Sequence, residues 1–231
     1  MPYTNSDINT GNATGGKIKV LLLGPPKAGK TIASVKTSPG PVFVVNADPG
    51  GLASAAGMGA KFDAEDCFDY QTLTRTVTLL KKDHKKYRTV VVDTLTLLSQ
   101  HLEVELKRNG LTSWDLYREL KDRVLGQITQ IIALPVHVIL TAHAIASLGD
   151  GDGAEMGILP AMSGQAKTLL PALCQDWIWL DVTPDKASGR MKREFLLEAS
   201  GNWKHGCRSI QNGGRIEADM TTFIKKAGLK P

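Results

Sequence analysis

Four short runs of β-branched and leucine residues, Ile18 to Leu23, Val42 to Val45, Thr89 to Val92 and Val136 to Leu140, are each bounded by glycine, proline or polar residues. Runs of this length and composition predict buried strands. Between them, Leu73 to Lys82 predicts a helix. Leu116, Leu120, Val124, Ile128 and Ile131 recur at three- and four-residue steps and predict a longer one, ended by Pro135. Strands alternating with helices imply an α/β fold with a mainly parallel sheet, helices on both faces and ligands at the carboxyl ends of the strands. From Asp176 onward the pattern changes. Trp177 and Trp179 alternate with Ile178 and Leu180, a turn follows from Pro184 to Gly189, and Glu194 to Glu198 continues as strand. This predicts C-terminal antiparallel strands appended to the sheet. The Gly/Asn/Thr/Ser-rich stretch 1–16 predicts a flexible arm, and 17–231 a single domain, with no internal repeat and no dividing linker.

The strand ends carry the chemistry. Ile18 to Leu23 leads into Gly24-Pro25-Pro26-Lys27-Ala28-Gly29-Lys30-Thr31, and Thr31 opens a short helix. The G-x-x-x-x-G-K-T spacing turns successive backbone N–H groups inward as a phosphate cradle. Lys30 then reaches the β and γ oxygens, and the Thr31 hydroxyl meets Mg²⁺. ATP and Mg²⁺ are therefore the expected cofactors. Asp93 closes the third run and is the expected carboxylate of the Mg²⁺ site. Thr94 follows it, so the adjacent glutamate that many ATPases use as the water-activating base is missing. Asp48, in Asp48-Pro49-Gly50-Gly51 after the second run, is the candidate base. The same tetrapeptide is also a good turn. His143, at the end of the fourth run, reads either as a γ-phosphate sensor or as a polar strand end. Lys30, Asp48, Asp93 and His143 form the candidate catalytic set, and Thr31 and Asp93 the candidate metal ligands.

The order of phosphate loop, strand running into Asn46-Ala47-Asp48, acidic strand end at Asp93 and polar strand end at His143 resembles the RecA-type ATPase core. The likeness is nearest to the short phage-encoded ATP-binding proteins that act as minimal recombinases or single-strand annealing proteins, over roughly Ile18 to Lys226. The resemblance implies a three-layer P-loop NTPase fold of RecA type, Mg²⁺-dependent and DNA-stimulated ATP hydrolysis, and single-stranded DNA as partner. It also implies a homo-oligomeric ring or filament, and work beside a single-strand-binding protein. By it, Asp48 takes the place of a catalytic glutamate with one methylene fewer, and His143 relays nucleotide state to a DNA-binding loop. A Lys or Arg from a neighbouring subunit would complete the nucleotide site, and Lys204 and Arg208 resemble such an element. Solvated basic residues are the plainer reading of that pair. A nucleotide switch, a helicase or a loader fits the same core. A small-molecule kinase fits less well, because a strand lies between the loop and Asp93 and no Arg-rich lid is evident.

At 231 residues, with 42% hydrophobic and 22% charged, the chain has the make-up of one globular domain. The formal net charge of +5 directs attention to a polyanion. Lys107-Arg108-Asn109-Gly110, followed by Trp114, offers phosphate contacts and a ring able to stack on a base. A helix end followed by a core Trp is the alternative. The second loop expected to face DNA, roughly 144–165, carries Asp150, Asp152 and Glu155, which repel phosphates. Its likeness to a calcium loop fails because Ala161 stands at the required glutamate position. Cys67, Cys174 and Cys207 are widely separated and form no CxxC pair, so neither zinc nor a disulfide framework is expected. No apolar run approaches membrane-spanning length and the N-terminus lacks signal-peptide character, which predicts the cytoplasm, that of the host cell for a phage-encoded protein.

Overall fold

The computed structural model describes residues 16–147, 157–185, 189–198, 206–210 and 213–231. The expected N-terminal arm, the acidic stretch from Asp150 to Glu155, and Lys204 lie outside the described residues. The chain begins with β1 (Lys19–Gly24), a single π-helical turn (Ile32–Lys36), β2 (Val42–Asn46), α1 (Leu52–Gly57) and β3 (Asp63–Asp66). There follow α2 (Tyr70–Asp83), β4 (Thr89–Asp93), α3 (Leu95–Arg108), α4 (Ser113–Ile132), β5 (His137–Ser147) and β6 (Gly157–Pro160). The rest is α5 (Ala166–Leu173), β7 (Asp176–Pro184), β8 (Met191–Leu196), β9 (Gly206–Cys207), β10 (Arg215–Glu217) and α6 (Met220–Lys226).

All strands join one sheet in the order β10-β8-β7-β1-β5-β4-β2-β3, with β6 paired to β5 and β9 to β7. β7, β1, β5, β4, β2 and β3 are parallel to one another. β8 returns antiparallel along β7, and β10 along β8. The fold is thus the expected α/β arrangement, with one local correction. β7, read as the first antiparallel strand, extends the parallel sheet by pairing with β1, and the direction reverses only at β8. Trp177 and Trp179 mark a strand with one buried side, and that pattern alone does not encode the direction of pairing.

Strand residues alternate between two apolar layers. Leu21, Leu23, Val90, Val92, Val138 and Leu140 pack beneath α2, α3, α4 and α5. Val20, Leu22, Val44, Val91, Ile139 and Ile178 pack with the π-helical turn, α1 and α6. Both faces are covered, which is why these strands read as continuous apolar runs rather than alternating ones. α4 buries Leu116, Leu120, Val124, Ile128 and Ile131, the stripe read from the sequence, and each such side chain contributes about 1.5–3 kcal/mol. Helix starts are fixed by side-chain caps: Asp69 accepts from Thr72 N–H, Thr94 from Leu97 N–H and Asp219 from Thr222 N–H. No helix among the described residues is long and apolar enough to cross a membrane.

Candidate nucleotide site

Gly24, Pro25, Pro26, Lys27, Ala28, Gly29, Lys30 and Thr31 run from the carboxyl end of β1 into the π-helical turn. Two loop residues take left-handed backbone, Lys27 (φ 62) and Gly29 (φ 101), and such reversals fold a chain into a concave nest of N–H groups. Lys30 is 5% exposed and folds back over the loop, donating to Gly24 O at 3.0 Å and Pro25 O at 2.8 Å. An ammonium has three donors, so one remains for a ligand. Burial pulls the Lys30 pKa down to about 8, against the nearby carboxylates of Asp93 and Asp48. An anionic ligand would favour its charged form further.

Asp93 ends β4 wholly buried and is held from two sides. Thr31 Oγ1 donates to Asp93 Oδ2 at 2.7 Å, and Thr141 Oγ1 donates to Asp93 Oδ1 at 2.6 Å. Burial raises the Asp93 pKa, opposed by these two hydrogen bonds. The sheet order explains Thr141. β5 lies between β1 and β4, so its side chains stand between the phosphate loop and the acidic strand end. A hydroxyl and a carboxylate in direct contact are hard oxygen donors. They suit Mg²⁺, which holds few protein ligands and keeps waters and phosphate oxygens for the rest. Thr31 and Asp93 therefore fit the ion expected of them.

Asp48 lies two residues beyond β2, in a turn anchored to this site. Ala47 N–H donates to Asp93 O at 2.7 Å, and His101 Nε2 lies 3.0 Å from Ala47 O. Asp48 lines the same cleft, of about 320 Å³, as Lys27, Lys30, Thr31 and His143. Its Oδ1 also accepts from Gly50 N–H at 3.2 Å, so the turn and the site share one carboxylate. His143 does not end its strand as the apolar run implied, because β5 continues to Ser147. Register with Gly24 nonetheless sets it level with the phosphate loop, where burial lowers its pKa. The structure thus brings Lys30, Thr31, Asp48, Asp93 and His143 together. It adds two residues not singled out for this site in the sequence, Thr141 and Arg193, the latter donating from Nε to Ala28 O at 2.9 Å.

A family model described as an AAA domain matches residues 16–203. The chain belongs to the AAA-domain family. A search of curated proteins finds no match. Among solved structures, this AAA domain is similar to a KaiC-like protein from the hyperthermophilic archaeon Pyrococcus horikoshii OT3, with 16% identity, 87% of this chain and 88% of that chain covered, and a TM-score of 0.44.

Among the described residues, the remaining candidates of the AAA domain lie away from the cradle. Arg208 follows β9, beside Asp176 and so near the amino end of β1, where it cannot reach the loop of its own chain. Lys107 and Arg108 end α3 exposed, and Lys107 is paired with Glu103 at 2.6 Å. Trp114 is 72% exposed rather than in the core. It lines a groove of about 440 Å³ with Tyr117, Arg118, Lys121 and Lys167. Those four were not part of the candidate set. Tyr117 and its neighbours come from α4 and Lys167 from α5, and only tertiary packing brings them together.

Proposed function

We propose that this AAA domain is a Mg²⁺-dependent ATPase that couples nucleotide state to a grip on single-stranded DNA, in recombination or strand annealing of the kind the phage-encoded relatives in the resemblance perform. The observation that carries the ATPase reading is the contact between Thr31 and Asp93 (2.7 Å) beside the buried Lys30, at the carboxyl end of the strands. In this reading the loop amides and Lys30 hold the phosphates. Asp48 accepts the proton of the attacking water and orients it. Thr31 and Asp93 would hold Mg²⁺, which would supply charge neutralisation on the phosphate oxygens. Asp48 Oδ1 is bonded to Gly50 N–H, which favours as second reading a nucleotide switch or loader in which Asp48 only shapes its turn.

The DNA reading is supported by the groove of Trp114, Tyr117, Arg118, Lys121 and Lys167, because exposed rings beside cations suit unpaired bases and phosphates. A route through one hydrogen bond and a short stretch of backbone links it to the nucleotide cleft. Ala161 N–H donates to His143 O at 2.8 Å, and the same segment continues through Ser163, bonded to Glu103 at 2.6 Å, to Gly164 against Tyr117. A homo-oligomeric ring or filament, with Lys204 and Arg208 reaching a neighbour's cleft and a single-strand-binding protein as accessory, completes the proposal.

Titration of a labelled oligonucleotide at several salt concentrations, with a non-hydrolysable ATP analogue present, tests it. Trp114→Ala is expected to weaken binding by about 1–3 kcal/mol with little change in salt slope. Replacing Lys121 and Lys167 is expected to flatten the slope by about 0.7 per lost phosphate contact. Unchanged binding in both, with loss in a Lys107→Ala/Arg108→Ala variant, would move the interface to the end of α3. No binding by the unmodified protein would sink the DNA reading.

A further inference from the structure

Arg193 sits on the antiparallel strand β8, far from the phosphate loop in sequence, yet it belongs to the nucleotide cleft. β8 runs against β7, so the chain from Phe195 back to Met191 travels toward the carboxyl ends of the parallel strands. Phe195 is fully buried in the layer that also holds Ala28 and Ala33. Arg193, two residues away, shares that face. Lys192 and Glu194 fall on the other face and pair with each other at 2.8 Å.

The contact with the loop is close. Arg193 Nε donates to Ala28 O at 2.9 Å, and a Cβ built on Gly29 would stand 2.9 Å from the same nitrogen. Gly29 therefore has two reasons to lack a side chain, its left-handed φ of 101 and the guanidinium lying against it. A guanidinium carries five N–H donors, and the Ala28 bond uses one. Arg75, Arg118, Arg123 and Arg215 each pair with a carboxylate, whereas Arg193 has no carboxylate partner among the described residues. It lines the cleft with Lys27 and Lys30 instead. Three cations against the one carboxylate lining the cleft, Asp48, leave the concavity net positive and suited to a polyanion.

We propose that Arg193 is a phosphate-binding residue of this site, supplied by the same chain, which holds the nucleotide's phosphates from the β8 side. The proposal rests on the ATP reading of the cleft and deepens it. It places one of the site's positive charges within the protomer, independently of any neighbour.

The test compares Arg193→Gln with the unmodified full chain in equilibrium binding of a non-hydrolysable ATP analogue at low and high salt, alongside the melting temperature of the nucleotide-free protein. Gln keeps an amide able to donate to Ala28 O but removes the charge. The expected result is a loss of about tenfold or more in affinity at low salt, a gap that narrows at high salt, and an unchanged melting temperature. Unchanged affinity would overturn the proposal. So would a salt-independent loss accompanied by a lower melting temperature, since Arg193 would then only brace the loop. Lys30→Ala, measured in parallel, separates the two levels: if it too leaves affinity unchanged, the ATP reading itself fails. If it abolishes binding while Arg193→Gln does not, only this inference falls.

Discussion

Replacing Thr141 with Val removes the hydroxyl that holds the buried Asp93 and keeps the shape of the side chain. Thr141 is fully buried, and its Oγ1 lies 2.6 Å from Asp93 Oδ1, so no water can take its place without displacing packed strand residues. A hydrogen bond to a charged group is worth about 1.5–3 kcal/mol. At about 2–4 °C per kcal/mol for a domain of this size, the variant should melt roughly 3–12 °C lower. The loss is bounded, because Asp93 can take up a proton instead of remaining a less satisfied anion. That bound gives a pH signature. Burial already raises the folded pKa of Asp93, so this group's contribution is favourable in acid and is lost as pH rises through the folded pKa. Without Thr141 the folded pKa moves higher still. The gap between variant and wild type should therefore widen as pH rises through that window and narrow below the ordinary carboxylate range, where both states are protonated and only a neutral hydrogen bond is lost. Thermal unfolding of nucleotide-free protein across pH, with Thr141→Ser as a control that keeps the hydroxyl, measures this. Equal melting of Thr141→Val and wild type at neutral pH would refute the reasoning.

Two further outcomes follow from the same geometry. Asp48→Asn should bind nucleotide normally and lower kcat, since an amide can accept Gly50 N–H but cannot take a proton from water; unchanged kcat in steady-state turnover would confine Asp48 to its turn. Gly29→Ala should cost about 1–3 kcal/mol through its left-handed backbone and should also push against Arg193, so nucleotide affinity and melting temperature should fall together in calorimetry.

The phosphate loop was legible because its chemistry is local: eight consecutive residues after an apolar strand hold the whole motif. Asp93 was legible by its place at the end of such a strand. Thr141 was not, because nothing in a threonine within an apolar run says that β5 will lie between β1 and β4. Arg193 was not legible as part of this site, since an antiparallel turn-back had to fold before it met Ala28. β3 escaped notice because Asp63, Ala64, Glu65 and Asp66 are an edge strand too polar to give a hydrophobic pattern. The cation-lined groove was half visible. Trp114 stood out as an aromatic near basic residues, but its companions are Tyr117, Arg118, Lys121 and Lys167 rather than Lys107 and Arg108.

The central claim is that Thr31, Asp93 and Lys30 form a working Mg²⁺-ATP site. It is tested most directly by phosphate release from ATP, by wild type and by Lys30→Ala, each with Mg²⁺ and with a chelator. The account predicts steady release by wild type with Mg²⁺, loss with the chelator, and loss in Lys30→Ala although its nucleotide-free melting is preserved. Release by Lys30→Ala at the wild-type rate, or release by wild type that ignores Mg²⁺, would contradict it.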